Sequence, residues 1–248
     1  MQGFGYHDKG VNHMLQTAQK IMQQGEEEIT LVFLGDSVTY GSFEISGQKG
    51  FPQVNVDHEQ VYHRKLRTLI EQRYPGAKVR YVNSGIGGES TQAGYERMPQ
   101  DVLAHNPSLC VVCYGLNDVN KGPDGLELYE QTMDAILTRL QQAGIEAIVL
   151  TPNMLNTHPT DQLVERLNEY SIRLAQYQND GTMDRYMDTV RSVAAKHNVP
   201  VADTYARWKR EFADKGISTN EHLSNHLNHP TREQHQWFAD DLFEVLFG

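Results

Sequence analysis

The chain has 248 residues, 39% hydrophobic and 22% charged, which allows one large domain or two small ones and excludes wholesale disorder. Acidic residues number 32 against 22 basic ones, a net charge of −10, which argues against nucleic acid or an anionic membrane as the main partner, because both need clustered positive charge. Two cysteines exclude a disulfide framework, and no apolar run approaches the roughly 20 residues that span a bilayer.

In chain order, Asn12 to Gln24 reads as a polar amphipathic helix with Met14, Leu15, Ala18, Ile21 and Met22 on one side. A single domain spanning 1–248 is expected, with residues 1–28 expected to be an N-terminal helical extension packed on it. The stretch from Met1 to Gln24 has no apolar signal core, so a cytoplasmic location is expected. Five short apolar runs follow: Ile29 to Leu34, Lys78 to Val82, Leu109 to Tyr114, Ala147 to Leu150 and Val199 to Ala202. Continuous runs of this length suit strands buried on both faces. Between and after them lie helical patterns at Glu59 to Arg73, Gln92 to Ala104, Leu126 to Ala143, Gln162 to Lys196 (broken near Asn179, Asp180 and Gly181) and Thr231 to Phe247. Strands alternating with helices predict an α/β three-layer sandwich, an approximately five-stranded, mostly parallel sheet with helices on both faces. In such folds ligands sit at the carboxyl ends of the strands.

Those ends carry small, polar and nucleophilic residues. Gly35-Asp36-Ser37-Val38 follows the first run, Asn83-Ser84-Gly85-Ile86-Gly87-Gly88-Glu89-Ser90 the second, and Gly115-Leu116-Asn117-Asp118 the third; His226-Leu227-Asn228-His229-Pro230 precedes the last helix. Each block alone has a plainer reading. Gly-Asp-Ser is a strand-to-helix turn with a cap, Asn117 is a turn former, and most single histidines pack or face water. The glycine loop is no dinucleotide fingerprint, because Ser90 stands where G-x-G-x-x-G needs its third glycine. Its better chemical use is a backbone N–H exposed to a developing oxyanion. His222 and His226 have the spacing of a zinc helix, but Leu223 stands where a zincin has Glu, and neither metal nor cofactor is expected. Cys110 and Cys113 lie three apart on a strand and so point to opposite faces.

Taken together, the four blocks resemble the SGNH hydrolases, also called GDSL esterases and lipases, over about Ile29 to Leu246. The resemblance implies the flavodoxin-like SGNH fold and a serine ester hydrolase. It implies Ser37 as nucleophile, His229 as general base, and the backbone N–H groups of Ser37 and Gly88 with the Asn117 side chain as the oxyanion hole. One position departs from the family: the Asp usually found three residues before the catalytic His is His226 here. Three alternatives stand for what orients His229: a main-chain carbonyl, giving a Ser–His dyad; a side chain of Asn225, His226 or Asn228; or a distant acid such as Asp203. The first is preferred, with a backbone or amide acceptor. Asp36 is expected to cap and brace the turn. Relatives with a similar second block and an Asn-His-Pro ending suggest a short-chain acetyl esterase on acylated carbohydrate, with a small-molecule or oligosaccharide ester as partner. Lysophospholipase or thioesterase activity and a non-catalytic carbohydrate-binding relative are the rivals. No stable membrane association is expected, and a homo-oligomer is left open.

Overall fold

The computed structural model describes residues 14–46, 53–161 and 165–248, so part of the first amphipathic stretch and the start of the 162–196 pattern lie outside the described residues. Five strands form one parallel sheet: β1 (Ile29–Gly35), β4 (Val79–Gly85), β5 (Leu109–Cys113), β6 (Glu146–Leu150) and β7 (Val201–Ala202). Their order is β4-β1-β5-β6-β7. The first strand is therefore flanked by the second and third of the sheet, and the topology reverses beside it, which is where doubly wound sheets open a crevice for ligands. All seven residues of β1 are buried, as a strand covered on both faces requires, whereas edge strand β4 is only half-buried over most of its length.

The helices are α1 (Gln16–Gln23), α2 (Ser37–Tyr40), α3 (Tyr62–Arg73), α4 (Thr91–Asp101), α5 (Leu126–Gln142), α6 (Asn168–Asn179), α7 (Thr182–Lys196), α8 (Thr204–Glu211) and α9 (Gln234–Phe247). Helix α3 packs on α9, while α4, α5 and α7 pack in series. Right-handed crossovers put these two groups on opposite faces, because the chain first steps outward from β1 to β4 and then back across the sheet. The expected sandwich is thus present, and apolar side chains from all five strands and both helical layers join in one cluster. Short helix α1 docks on this body through its first turn, where the N–H groups of Gln16 and Thr17 donate to the Glu146 carboxylate, each at 2.8 Å. Among the described residues, no helix is long and apolar enough to cross a membrane.

Several boundaries move. The last strand shortens to Val201–Ala202, since Pro200 has no N–H to give a ladder. The 162–196 pattern splits at Asp180 and Gly181, with Gly181 at φ 80°. The final helix starts at Gln234 rather than Thr231. Two features were not expected. Helix α8 follows an N-cap formed by Asp203. A two-stranded antiparallel ribbon joins β2 (Ser42–Ser46) to β3 (Gln53–Val56); every residue of β3 is exposed, so hydrophobic alternation had nothing to mark there.

Gly85, at the end of β4, lets the turn that carries Ser37 lie directly against the strand. A Cβ on Gly85 would fall 2.3 Å from the Tyr40 nitrogen, a backbone atom that cannot swing away. Gly85→Ala should therefore displace residues 37–40, lowering the unfolding free energy by about 1–3 kcal/mol. Urea denaturation with an unchanged midpoint would contradict this packing.

Candidate active site

The turn after β1 is held by its own side chains. Asp36 caps α2, its carboxylate accepting from the Val38 N–H at 2.9 Å, as expected for a brace beside the serine. The turn closes with Tyr40 N–H on the Asp36 carbonyl at 2.9 Å and Gly41 N–H on the Ser37 carbonyl at 3.0 Å. Ser37 thus sits in the first position of a helical turn, where its N–H has no partner inside that turn. Only 6% of Ser37 is exposed.

His229 arrives from a loop pinned at several points. The Asn225 side-chain oxygen accepts the N–H groups of Leu227, Asn228 and His229 at 3.0, 2.9 and 2.8 Å. The Asn225 amide donates to the Asn228 side-chain oxygen at 2.9 Å, and Asn153 donates to the Asn228 carbonyl at 2.9 Å. The imidazole bridges two partners: Nε2 lies 3.0 Å from Ser37 Oγ, and Nδ1 lies 2.8 Å from the Phe43 carbonyl oxygen. A carbonyl can only accept, so Nδ1 carries the hydrogen. Neutral Nε2 is then left to accept from the serine hydroxyl. Phe43 is able to spare its carbonyl because it lies in an irregularity of the β2–β3 ladder between Ser42 and Ile45.

The side chains singled out as orienting groups do not hold the His229 ring. Asn225 and Asn228 brace the backbone of the loop, and His226, at φ 54°, has its Nδ1 3.1 Å from the Asn220 carbonyl. Asp203 is committed elsewhere, to Arg191 at 2.8 and 3.0 Å, to Thr151 Oγ1 at 2.9 Å and to the cap of α8. His222 and His235 are also separately engaged: His235 Nδ1 accepts the Tyr62 N–H at 3.1 Å, and the His222 ring stacks on Phe212 at 4.1 Å.

The third corner is Asn117, beyond β5. Its amide nitrogen donates to the Glu89 carbonyl at 3.0 Å and lies 3.5 Å from an Asp36 carboxylate oxygen, so it sits between the glycine loop and the serine turn. Gly88 precedes Glu89 at φ 81°, a conformation that favours glycine, and a Cβ on Gly87 would lie 3.9 Å from that of Ser37. Serine, imidazole, glycine loop and asparagine amide therefore converge on one rim.

Two braces join these loops: Arg97 carries no recognisable signal in the sequence, and Asp118 stands in the third block with no role assigned to it. The Arg97 guanidinium, its side chain 13% exposed, donates through Nε to the Glu89 carboxylate and through Nη2 to the carbonyls of Gly35 and Ser84, joining the ends of β1 and β4 to the loop after Gly88. Asp118 accepts from both the N–H and hydroxyl of Thr91, at 3.0 and 2.6 Å, tying the start of α4 to the Asn117 loop. Phe43 carries no signal for a different reason: it acts through its main chain, which every residue type possesses.

Burial dominates the electrostatics. It lowers the His229 pKa from 6.5 to about 4, against the Phe43 hydrogen bond and the Glu44 charge, which both raise it. Burial lifts Asp36 from 3.8 to about 7; the Val38 N–H opposes this and the nearby Asp118 charge adds to it. At neutral pH the imidazole is thus uncharged and ready to accept a proton.

The comparisons with known proteins agree with this architecture. The chain belongs to the GDSL-like lipase/acylhydrolase family, which matches residues 33–237. It is accordingly a carboxylic ester hydrolase. Among curated proteins it is 25% identical to the acetylxylan esterase of Geobacillus stearothermophilus over 188 residues, 72% of this chain and 77% of that one. It is 28% identical over 121 residues to thioesterase 1/protease 1/lysophospholipase L1 of Escherichia coli (strain K12), covering 49% of this chain and 50% of that one. Among solved structures, the Geobacillus stearothermophilus acetylxylan esterase superposes with a TM-score of 0.64 at 22% identity, covering 89% of this chain and 94% of that one. The acetyl xylan esterase AlAXEase gives 0.65 at 22% identity, covering 88% and 100%.

The His229 shift makes a prediction about pH. Its folded pKa lies below its ordinary value of 6.5, so the stability it contributes is present above pH 6.5 and is lost as pH falls toward about 4. Asp36 acts oppositely: its folded pKa is raised, so its contribution is present below pH 3.8 and is lost as pH rises through about 7. The acid limb of kcat/KM in Asp36→Asn, which removes the second titrating group, should have its midpoint near 4. A midpoint near 6.5 in that variant would contradict a buried, neutral His229 base.

Proposed function

We propose that Ser37 and His229 form a catalytic dyad that removes short acyl groups, acetyl foremost, from a carbohydrate alcohol. The observation that carries the reading is the relay from Ser37 Oγ to His229 Nε2 at 3.0 Å and from Nδ1 to the Phe43 carbonyl at 2.8 Å. Ser37 Oγ attacks the ester carbonyl while its proton passes to Nε2. The negative charge on the former carbonyl oxygen is met by the N–H groups of Ser37 and Gly88 and by the Asn117 amide, each such donor being worth on the order of 3 kcal/mol. The imidazolium then returns its proton to the departing alcohol. Water, deprotonated by the same nitrogen, releases the acid and regenerates Ser37.

The dyad differs from a triad in one respect. The Phe43 carbonyl fixes the tautomer and the ring orientation, as a carboxylate would, but supplies only a dipole to the imidazolium. Substrate class rests on the acetylxylan esterase relative, on the small and polar residues around the nucleophile, and on the acidic chain. The Escherichia coli relative, whose name includes lysophospholipase, supports the rival of a longer acyl chain. A small-molecule or oligosaccharide ester is the proposed partner, consumed without a cofactor.

A fluorophosphonate should label the wild type at Ser37 and leave Ser37→Ala unlabelled; an unlabelled wild type would favour the carbohydrate-binding alternative. Ser37→Ala should abolish turnover and His229→Ala nearly so, whereas Asn117→Ala should lower kcat about 10²–10³-fold with modest change in KM. His226→Ala should be mild, because its ring contacts the Asn220 carbonyl rather than the reacting pair. In a series of nitrophenyl esters, acetyl should be preferred to octanoyl, and acetylated xylo-oligosaccharides should release acetate. Preference for octanoyl would move the assignment to the lysophospholipase or thioesterase reading.

A further inference from the structure

The carbonyl on which the His229 ring depends lies where the β2–β3 ladder is interrupted, while the Phe43 side chain itself is fully buried. Phe43 and Glu44 occupy the irregular stretch between Ser42 and Ile45, where the β2–β3 ladder pairs are interrupted, and β3 is exposed along its whole length. Ladder hydrogen bonds alone leave such a segment free to shift. A side chain from the histidine loop reaches across to it. Arg232, three residues beyond His229, donates through Nη1 and Nη2 to the two Glu44 carboxylate oxygens and through Nε to Asp57 Oδ2 at 3.1 Å. Glu44 is next to Phe43, and the Asp57 N–H donates to the Gly41 carbonyl at 2.9 Å, so the two carboxylates stand on both arms of the ribbon. Between them the guanidinium carbon lies 4.2 Å from the centroid of the Phe43 ring, which also packs on the His235 ring at 4.9 Å.

We propose that Arg232 is a positioning residue: it clamps the β2–β3 ribbon to the histidine loop and so holds the Phe43 carbonyl against His229 Nδ1. The inference rests on Ser37 and His229 being the reacting pair. The ion pairs are not there for bulk stability. The side chains of Arg232 and Glu44 are 39% and 38% exposed, so solvent screens them and little folding energy is expected from them. What they supply is geometry, because one planar fork engages two carboxylates and a ring at once. Arg232 also neutralises Glu44, whose charge reaches the imidazole from one residue beyond the carbonyl. Of the charged and titratable groups, Glu44 on the ribbon and His235 on α9 act on the His229 ring, Arg232 pairs with Glu44 and with Asp57, and Asp36 caps the serine turn.

The test compares wild type, Arg232→Ala, Arg232→Lys, Glu44→Gln and the Arg232→Ala/Glu44→Gln double variant, using nitrophenyl acetate and NMR of the His229 Nδ1–H proton. Arg232→Ala should lower kcat about ten- to a hundredfold with KM within about threefold, the signature of a misplaced catalytic group. The Nδ1–H resonance, present in the wild type, should broaden or vanish. Arg232→Lys should recover part of kcat, since an ammonium can meet one carboxylate but cannot fork to both. The acid limb of kcat/KM should move to higher pH in Arg232→Ala, where Glu44 is no longer neutralised, and should return in the double variant without restoring kcat. If Arg232→Ala proves poorly folded, Glu44→Gln, which keeps the shape and removes the charge, should still lower kcat and weaken the Nδ1–H signal. Wild-type kcat with an intact Nδ1–H resonance in Arg232→Ala and Glu44→Gln would overturn the clamp. A wild type inert toward nitrophenyl acetate would instead count against the esterase dyad, and the Nδ1–H resonance would still decide the clamp.

Discussion

One hydrogen bond organises the chemistry of this site: His229 Nδ1–H to the Phe43 carbonyl at 2.8 Å. It decides which nitrogen is protonated and, in the proposed dyad, which nitrogen takes the proton from Ser37. A serine hydroxyl 3.0 Å from the wrong tautomer would face an N–H and could not be activated. The fold meets this constraint by placing a ladder irregularity beside the serine turn, so that a main-chain oxygen is free to turn toward the ring. The histidine loop is then locked from behind by Asn225, which collects three successive N–H groups.

The rest of the site follows from the order of strands. The first sheet strand lies between the second and third, so the loops after β1, β4 and β5 meet at the point where the topology reverses. Ser37, Gly88 and Asn117 come from those three loops, about fifty and thirty residues apart along the chain, and Arg97 and Asp118 tie the loops together beneath the rim. Burial then keeps His229 uncharged at neutral pH, which suits a base but leaves the imidazolium without a carboxylate directly on its ring. Glu44, already paired with Arg232, is the nearby acid whose charge reaches the ring.

Legibility in the sequence tracked burial and side-chain chemistry. The fully buried runs Ile29 to Leu34 and Leu109 to Tyr114 were read within one residue, because their apolar continuity is the physical demand of a covered parallel strand. Exposed β3 makes no such demand and was invisible, and so was the ribbon it forms with β2. Ser37, Gly88, Asn117 and His229 were legible because each stands in a block at a strand end or before the last helix, and the structure gathers them on one rim. The orienting group was only half legible. The missing Asp before His229 pointed to a main-chain acceptor, but nothing in a residue's identity marks its carbonyl, and Asn225, which resembled a ring partner, serves the loop backbone instead. Arg97 and Arg232 were unmarked because one arginine among many takes its meaning from partners 62 and 188 residues away.

The most direct test of the account is the protonation state of the His229 ring in solution, read from nitrogen chemical shifts of histidine-labelled protein, with His229→Ala to assign the signals. At pH 7 the account predicts a neutral ring with Nδ1 protonated and Nε2 bare, persisting on acidification until about pH 4. A ring protonated on Nε2, or one already cationic at pH 7, would contradict it.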